Sequence, residues 1–161
     1  MCSKSILNIM NNNILNSMPF WAAFLGVVSA QALKPLIIYI ATREFRMKNF
    51  FINGGMPSSH TSGVCALTAA LGLTNGFGSN IFVLSLVITL IVMNDAMNVR
   101  LETGKQAELL NEWSIIFEEM FSEETFTRKH FKTMVGHTSL QVFWGMVLGI
   151  AIGVATFFVM R

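Results

Sequence analysis

Charge is what this sequence has least of. Only 12% of its residues are charged and 53% are hydrophobic, whereas soluble domains carry about 25% charged residues. Residues 17–42 contain a single charge, Lys34, and residues 80–94 and 138–160 contain none. About 20 consecutive apolar residues suffice for a helix to cross a membrane. The scarcity of charge therefore argues against a soluble domain and predicts an integral, multi-pass membrane protein.

The sequence also has few cysteines, and its apolar segments have few acidic residues. The two cysteines, Cys2 and Cys65, suit no obvious disulfide, and Cys65 is expected to be a small core residue. Asp95 is the only acid in the apolar segments, and no G-x-S-x-G elbow occurs. These absences disfavour a serine hydrolase built on Ser58 or Ser59.

The hydropathy pattern predicts an all-α fold. We expect a polytopic helical membrane bundle with four membrane-embedded helices, near residues 19–42, 61–74, 81–99 and 138–160. Residues 1–17 form a polar, Asn-rich segment, and residues 18–161 form a single membrane domain. The stretch 20–28 also resembles the apolar core of a signal peptide, but the apolar run continues to Ala41, which favours a retained span.

A fifth helix is predicted near residues 105–121 because its apolar residues recur with helical spacing. One face is apolar and consists of Leu109, Trp113, Ile116, Phe117 and Met120. The other face is acidic and carries Glu108, Glu112 and Glu119. Helices that lie on membranes usually carry a basic face. An acidic amphipathic helix is therefore expected to dock on the protein, outside the bilayer.

The last apolar segment carries three glycines at four-residue intervals, Gly145, Gly149 and Gly153. Such spacing lets another helix pack backbone to backbone. The sequence predicts a close helix contact there, including a helix–helix oligomer, although glycine is also simply common in membrane helices.

Alternating crossings would bring the polar ends at 43–60, 95–105 and 128–137 to one side of the membrane. Eight of the eleven basic residues fall in those ends: Arg43, Arg46, Lys48, Arg100, Lys105, Arg128, Lys129 and Lys132. Basic residues are enriched in cytoplasmic loops. The polar face is therefore predicted to be cytoplasmic.

The stretch GGMPSSH, residues 54–60, interrupts the apolar sequence just before a helix. Glycines permit close approach, and the N–H groups of a helix N-terminus bind anions, as do nearby cations. The same pattern also fits an ordinary loop and helix cap. His60 and His137 each open a helix on the polar face, so together they would supply a proton donor and a nucleophile for phosphoryl transfer. Each histidine alone is as readily a structural residue at the interface.

Two ionisable residues within the apolar segments also indicate function. Lys34 lies inside the first span, where an ionisable group is a functional candidate, although its side chain could instead reach the membrane surface. Asp95 is predicted either to pair with Lys34 or Arg100 or to act as a catalytic carboxylate.

At these residues the sequence resembles a known superfamily. Met56-Pro57-Ser58-Ser59-His60 is similar to the P-S-G-H motif of the type 2 phosphatidic acid phosphatase (PAP2) superfamily, which includes vanadium haloperoxidases. The segment 136–145, GHTSLQVFWG, resembles its third motif. The order of GGMPSSH, MNDAMNVR and GH-x-x-x-x-V most resembles the divergent branch of YuiD-like and plant acid phosphatase/haloperoxidase-related membrane proteins.

The resemblance implies a role for each matching residue. His137 would attack the phosphorus and His60 would protonate the leaving group. The phosphate would be held by Lys34, Arg43, Ser58, Ser59 and Arg100, with Asp95 and Gln141 in support. It implies no cofactor and no metal.

Three departures from the superfamily pattern are visible. Eight residues rather than six separate Lys34 from Arg43, Ser59 replaces a glycine, and Gln141 stands where a carboxylate should orient the nucleophilic histidine. Glu102 also replaces a histidine of the divergent branch. A glutamine at 141 shares a helix face with residue 137 and can accept a hydrogen bond, but it cannot stabilise an imidazolium by charge.

The function expected from this resemblance is a membrane-bound phosphatase that hydrolyses a lipid or isoprenoid phosphate monoester through a phosphohistidine. The alternative is a catalytically weak or inactive relative that binds phosphate or serves a structural role. Membrane lipids are the expected partners, and nucleic acid is not.

Overall fold

A computed structural model describes residues 14–43, 55–120, 131 and 138–161. A one-turn 3₁₀ helix, Ile14–Asn16, precedes five α-helices, and no strand occurs among these residues. The helices are α1 (Met18–Thr42), α2 (Ser59–Asn75), α3 (Asn80–Asn94), α4 (Arg100–Met120) and α5 (Ser139–Met160), and a π-helical segment (Asp95–Val99) joins α3 to α4. The predicted all-α fold is confirmed.

Three helical segments are long and apolar enough to cross a membrane: Met18–Ile40, Asn80–Phe117 and Ser139–Met160. Four membrane-embedded helices were predicted. Three of them correspond to these candidate spans, and the fourth corresponds to α2, which is shorter. At about 1.5 Å per residue, the 17 residues of α2 extend roughly 25 Å. That length is less than the roughly 30 Å of the hydrocarbon core.

The short helix α2 is the centre of the bundle, and α1, α3 and α5 all pack on it. Its buried side chains are mostly small: Ser59, Thr61, Ser62, Gly63, Cys65, Ala66, Thr68, Ala70, Leu71 and Gly72. Small residues let helices approach closely where the hydrophobic effect cannot drive association. The Ser62 hydroxyl, for example, donates to the Gly26 carbonyl of α1 at 2.8 Å.

The three glycines of α5 form the closest helix contact in the described structure. Gly145 faces Ser58, Gly149 faces Ser62, and Gly153 faces Ala66, so α5 and α2 run parallel with matching four-residue steps. A Cβ at Gly145 would lie 2.6 Å from the Ser58 carbonyl oxygen. The packing partner of the glycine face is thus α2 of the same chain. Oligomerisation through these glycines remains a prediction, and α2 already covers this face of the helix.

Contacts between the helices also fix their directions. The hydroxyls of Thr68 on α2 and Thr89 on α3 are 2.8 Å apart, and the Ser58 N–H of α2 donates to the Gln141 carbonyl of α5 at 3.0 Å. The α2 N-terminus, the α3 C-terminus and the α5 N-terminus therefore lie at one end of the bundle. The predicted gathering of polar ends is confirmed for these three helix ends.

The π-helical segment makes α3 and α4 one continuous helix from Asn80 to Met120. The 38 residues from Asn80 to Phe117 extend about 57 Å, nearly twice the hydrocarbon thickness, so much of α4 projects past the core if α3 crosses it. The apolar residues Leu109 and Trp113 are about half exposed. The predicted docking of this helix on the protein is therefore not confirmed by the described residues.

Candidate functional site

The GGMPSSH stretch ends at the N-terminus of α2, as the sequence predicts. Ser58 is the N-cap, and its hydroxyl accepts hydrogen bonds from the Thr61 N–H at 3.5 Å and from the Thr61 hydroxyl at 3.1 Å. Both residues are completely buried. Gly55, with φ of 79°, adopts the left-handed conformation that glycine tolerates best. The serine of this motif therefore acts as a helix cap, and Ser59 and His60 follow in the first turn.

Three charged residues act on the His60 imidazole, which is itself exposed at this end of the bundle. They are Arg100 and Lys34, which are positive, and Asp95, which is negative. They come from α4, α1 and the π-helical segment, 26 to 40 positions away in sequence. The structure thus brings three of the predicted site residues within electrostatic range of a fourth, His60.

Lys34 is the most buried charged residue of this group, with 3% of its surface exposed. A lysine so far removed from water needs polar or anionic surroundings to remain charged. Burial at this depth also argues against the alternative that Lys34 merely extends its side chain to the membrane surface. Its position beside His60 instead makes it a cation of the candidate site.

Asp95 pairs with Arg100, which settles which of the two predicted cations it joins. The Arg100 Nε donates to Asp95 Oδ2 at 2.6 Å. Because Nε is only one of five N–H donors of a guanidinium, the two Nη groups of Arg100 remain as donors for an anion. The ion pair orients the guanidinium without using its outer edge.

Arg43 has a different setting from the other predicted phosphate ligands. It is exposed at the C-terminal end of α1, with φ of 59°, and its backbone N–H donates to the Tyr39 carbonyl at 2.8 Å. Nine residues of helix put Arg43 about 13 Å beyond Lys34 along the axis. A joint role of the two cations therefore depends on the reach of their long side chains.

Gln141 is part of the N-terminal cap of α5. Its Oε1 accepts the Thr138 N–H at 3.2 Å, and its own N–H donates to the Thr138 hydroxyl at 3.4 Å, which is a capping box. The sequence analysis missed this use of Gln141, although the T-x-x-Q pattern is a capping-box signal. His137, the predicted nucleophile, lies outside the described residues, directly before Thr138 in sequence.

The π-helical segment was also missed, because no sequence pattern marks it. Besides the Asp95–Arg100 pair, it contains a side-chain hydrogen bond from Asn98 to Asn94. Single π turns inside α-helices occur often at functional sites. Within the described residues, no group of three His, Cys, Asp or Glu side chains is placed to hold a metal ion.

Comparison with known proteins identifies the family. The Divergent PAP2 family matches residues 15–152, which run from α1 through α2, α3, the π-helical segment and α4 into α5. The chain belongs to this family. It is similar to "Uncharacterized membrane protein YuiD" of Bacillus subtilis (strain 168), with 32% identity over 145 residues. The match covers 85% of this chain and 92% of YuiD. No solved structure gives a significant match.

Membership in the Divergent PAP2 family establishes an integral membrane protein related to phosphatases. The family name itself specifies no substrate or reaction. The matched residues contain every predicted site residue, from Lys34 to Gln141. The assignment of chemistry to those residues is argued below.

Proposed function

We propose that this protein is a membrane-bound phosphatase that hydrolyses a lipid or isoprenoid phosphate monoester. The observation that carries the proposal is that the buried Lys34 and the ion pair of Arg100 with Asp95 lie close enough to His60, at the N-terminus of α2, for their charges to act on it. Two cations at a helix N-terminus favour binding of a phosphate dianion. A buried lysine in this position supports an anion site.

The donors for the phosphate oxygens come from both backbone and side chains. In an α-helix the first N–H groups have no intrahelical acceptor, so those of Ser59 and His60 are available to an anion. The Ser58 hydroxyl caps the helix, so we assign it the role of holding this turn in place. Arg100 would contribute its Nη groups and Lys34 its ammonium group.

The chemistry follows from the two histidines. His137 would attack the phosphorus through a neutral imidazole nitrogen, and the P–O ester bond would break. His60 would give its proton to the departing alkoxide, and a phosphohistidine would form on His137. Water would then attack this phosphorus while the now neutral His60 takes the water's proton. The products are inorganic phosphate, an alcohol and the restored enzyme.

Nearness of the α5 N-terminus to the site supports His137 in this role. The Ser58 N–H bonds to the Gln141 carbonyl at 3.0 Å, so the first turns of α2 and α5 meet. His137 directly precedes the N-cap of α5, and His60 lies in the first turn of α2. In the proposed mechanism one of these histidines would attack the phosphorus and the other would protonate the leaving group.

The decisive experiment is a turnover assay on the purified protein in detergent with a panel of lipid phosphates. We expect phosphate release to be abolished by His60→Ala and by His137→Ala. His130→Ala provides a matched control, because it removes the third histidine of the chain. Equal activity in all four proteins would contradict the proposed mechanism.

A second function is favoured by Gln141. Because a glutamine replaces the carboxylate of the superfamily motif and its Oε1 is engaged in the capping box, support of an imidazolium at His137 is weakened. The chain would then bind a phosphate group without efficient hydrolysis. Saturable binding of vanadate or phosphate, lost in Arg100→Ala, together with no turnover on any substrate would identify this function.

The orientation in the membrane is part of the same proposal. Arg43, Arg100 and Lys105 lie at or beyond the site end, whereas Arg161 ends α5 at the opposite end. By the positive-inside rule we propose that the site faces the cytoplasm. A fluorescent protein fused after Arg161 should then lie on the outer side, and cytoplasmic fluorescence of that fusion would contradict the orientation.

A further inference from the structure

An apolar cleft runs along the bundle between α3 and α5, with α2 as its floor. It has a volume of about 340 Å³. Its walls are formed by residues such as Leu86 and Leu90 of α3, Ile150 and Val154 of α5, and Ala69 of α2. The Thr89 hydroxyl donates to the Val64 carbonyl at 3.3 Å and so can accept from the Thr68 hydroxyl at 2.8 Å, which leaves neither hydroxyl of this pair without an acceptor. Its surface thus suits a hydrocarbon chain.

The cleft begins next to the candidate phosphate site. At that end it is bounded by Met93 and Met146. Met93 lies two residues before Asp95, and Met146 follows Gly145, which packs on Ser58. The cleft therefore reaches the end of the bundle that carries His60.

The far end of the cleft is closed by two aromatic rings. Phe77 and Phe82 meet edge to face, with their centroids 5.2 Å apart, and both contact the Gly72 region of α2. From Phe82 to Met93 the cleft follows α3 for eleven residues, or about 16 Å. A chain that enters beside the site can extend by this length before it meets the Phe77–Phe82 pair.

A second apolar cleft provides an internal comparison. It has a volume of about 470 Å³ and lies between α1 and α5, lined by residues that include Trp21, Leu25 and Val159. These residues lie near the start of α1 and the end of α5, at the opposite end from His60. Although larger, this cleft cannot hold the chain of a molecule whose phosphate is at the site.

We propose that the α3–α5 cleft binds the hydrocarbon chain of the phosphate monoester, and that Phe77 and Phe82 set the longest chain that fits. This inference rests on the proposed function for the position of the phosphate group. It commits to a single-chain amphiphile, because the cleft is a single groove of about 340 Å³ that is bordered at its far end by the Phe77–Phe82 pair. A chain already dissolved in lipid gains little from the hydrophobic effect here, so the cleft contributes by positioning the phosphate ester.

The first test compares alkyl phosphates of different length in two matched variants. Leu86→Trp fills the proposed cleft and Leu25→Trp fills the other one, and the two leucines are similarly exposed, at 38% and 40%. For Leu86→Trp we expect kcat/KM for dodecyl phosphate to fall about tenfold relative to that for butyl phosphate. Leu25→Trp should leave the ratio unchanged. An unchanged ratio in both variants, or the same loss in both, would overturn the proposal.

A second test requires no turnover, so it separates failure of the cleft from failure of the phosphatase. An alkyl phosphate with a diazirine near its chain end should label Leu86, Leu90 or Phe82 under light, and excess dodecyl phosphate should suppress this label. The same diazirine on an uncharged alkane should not be suppressed. Equal labelling by both probes would indicate ordinary bilayer lipid, and protection of the cleft in a cross-linked dimer would indicate a second chain. Either result contradicts the proposal.

The Phe77–Phe82 pair at the far end of the cleft leads to a further prediction. Phe82→Ala removes one ring of the terminal pair, so longer chains should be accepted. We expect the preferred alkyl chain to lengthen in this variant while butyl phosphate is hydrolysed as before. An unchanged or shorter preference would show that Phe77 and Phe82 do not limit the chain.

Discussion

Arg100 and Asp95 are joined twice, once through the backbone and once through their side chains. The Arg100 N–H donates to the Asp95 carbonyl, and the Arg100 Nε donates to the Asp95 carboxylate at 2.6 Å. Both bonds span five residues, which is the spacing of a π-helix. In a regular α-helix residues five apart point about 140° away from each other. The π-helical segment is thus the reason that this pair can form beside His60.

Arg100 is expected to bind the phosphate through the edge of its guanidinium that Asp95 leaves free. Arg100→Lys should weaken vanadate or phosphate binding by about tenfold or more, since a lysine keeps the charge and loses the planar, two-pronged donor edge. Isothermal titration of vanadate into the protein in detergent measures this change. Lys105→Arg is the control, because Lys105 pairs with Glu102 on the exposed surface. Wild-type affinity in Arg100→Lys would remove Arg100 from the site.

An alanine inserted after Met97 should move Arg100 away from Asp95. The two residues would then be six apart, and one extra residue in a helix rotates everything that follows by about 100°, so Arg100 would turn away from His60. We expect phosphate binding to be lost while the protein remains folded, as judged by circular dichroism and gel filtration. An alanine inserted after Gln106, an exposed residue of α4, rotates only the helix beyond Arg100 and should preserve binding. Retained binding after the insertion at Met97 would contradict a positioning role for the π turn.

The glycine contact between α5 and α2 should be the most sensitive part of the fold. A methyl group at Gly149 would collide with the Ser62 carbonyl oxygen and lie 2.8 Å from the Cys65 Cβ. Overpacking of this kind typically costs about 1–3 kcal/mol. Gly149→Ala should therefore lower the midpoint of thermal unfolding in detergent. Gly78→Ala, where a Cβ meets nothing within 4 Å, should not lower it. Equal midpoints for both variants would show that α5 can shift without cost.

Substitutions of Gln141 can separate its role in capping α5 from its support of the nucleophilic histidine. Glutamate at this position keeps the capping box and adds a carboxylate, because either residue can accept the N-cap N–H. We expect Gln141→Glu to retain stability and to raise turnover, whereas Gln141→Leu should lower the unfolding midpoint by removing the cap. Loss of the orienting carboxylate in a serine protease triad reduces the rate by about 10⁴, which bounds the gain. A fall in turnover for Gln141→Glu would assign this residue to capping alone.

The spans and the site residues could be found without coordinates because their signals are local. Charge-free runs define the α3 and α5 spans, and the Gly-Gly-Met-Pro-Ser-Ser-His stretch marks the start of α2. The pairing of His60 with His137 was predicted from their positions at two helix starts, and family resemblance assigned a role to each. A helix cap was expected in this stretch without a choice of serine, and the burial of Ser58 and its bond with Thr61 could not be read from the motif.

Other features depend on where one helix lies against another. The glycine spacing at 145, 149 and 153 predicts a close helix contact but does not say whether the partner is in the same chain or in a second copy. The register of α2 against α5 shows that α2 is a partner. The apolar side of α4 predicts a covered face, but the unbroken helix from α3 carries it away from the bundle. No sequence rule decides between a turn and a π turn near Asp95, because the two differ by small changes in backbone hydrogen bonding.

Sequence alone determined that this chain is a helical membrane protein of a phosphatase-related family, because hydropathy and a short motif are properties of consecutive residues. Tertiary structure decided that the charges of Lys34, Arg100 and Asp95 act on His60 and that an apolar cleft between α3 and α5 reaches the same end of the bundle. Those relationships join residues far apart in the chain. They arise only when helices pack with a particular register, and that register is set by the small residues at which α1, α2 and α5 touch.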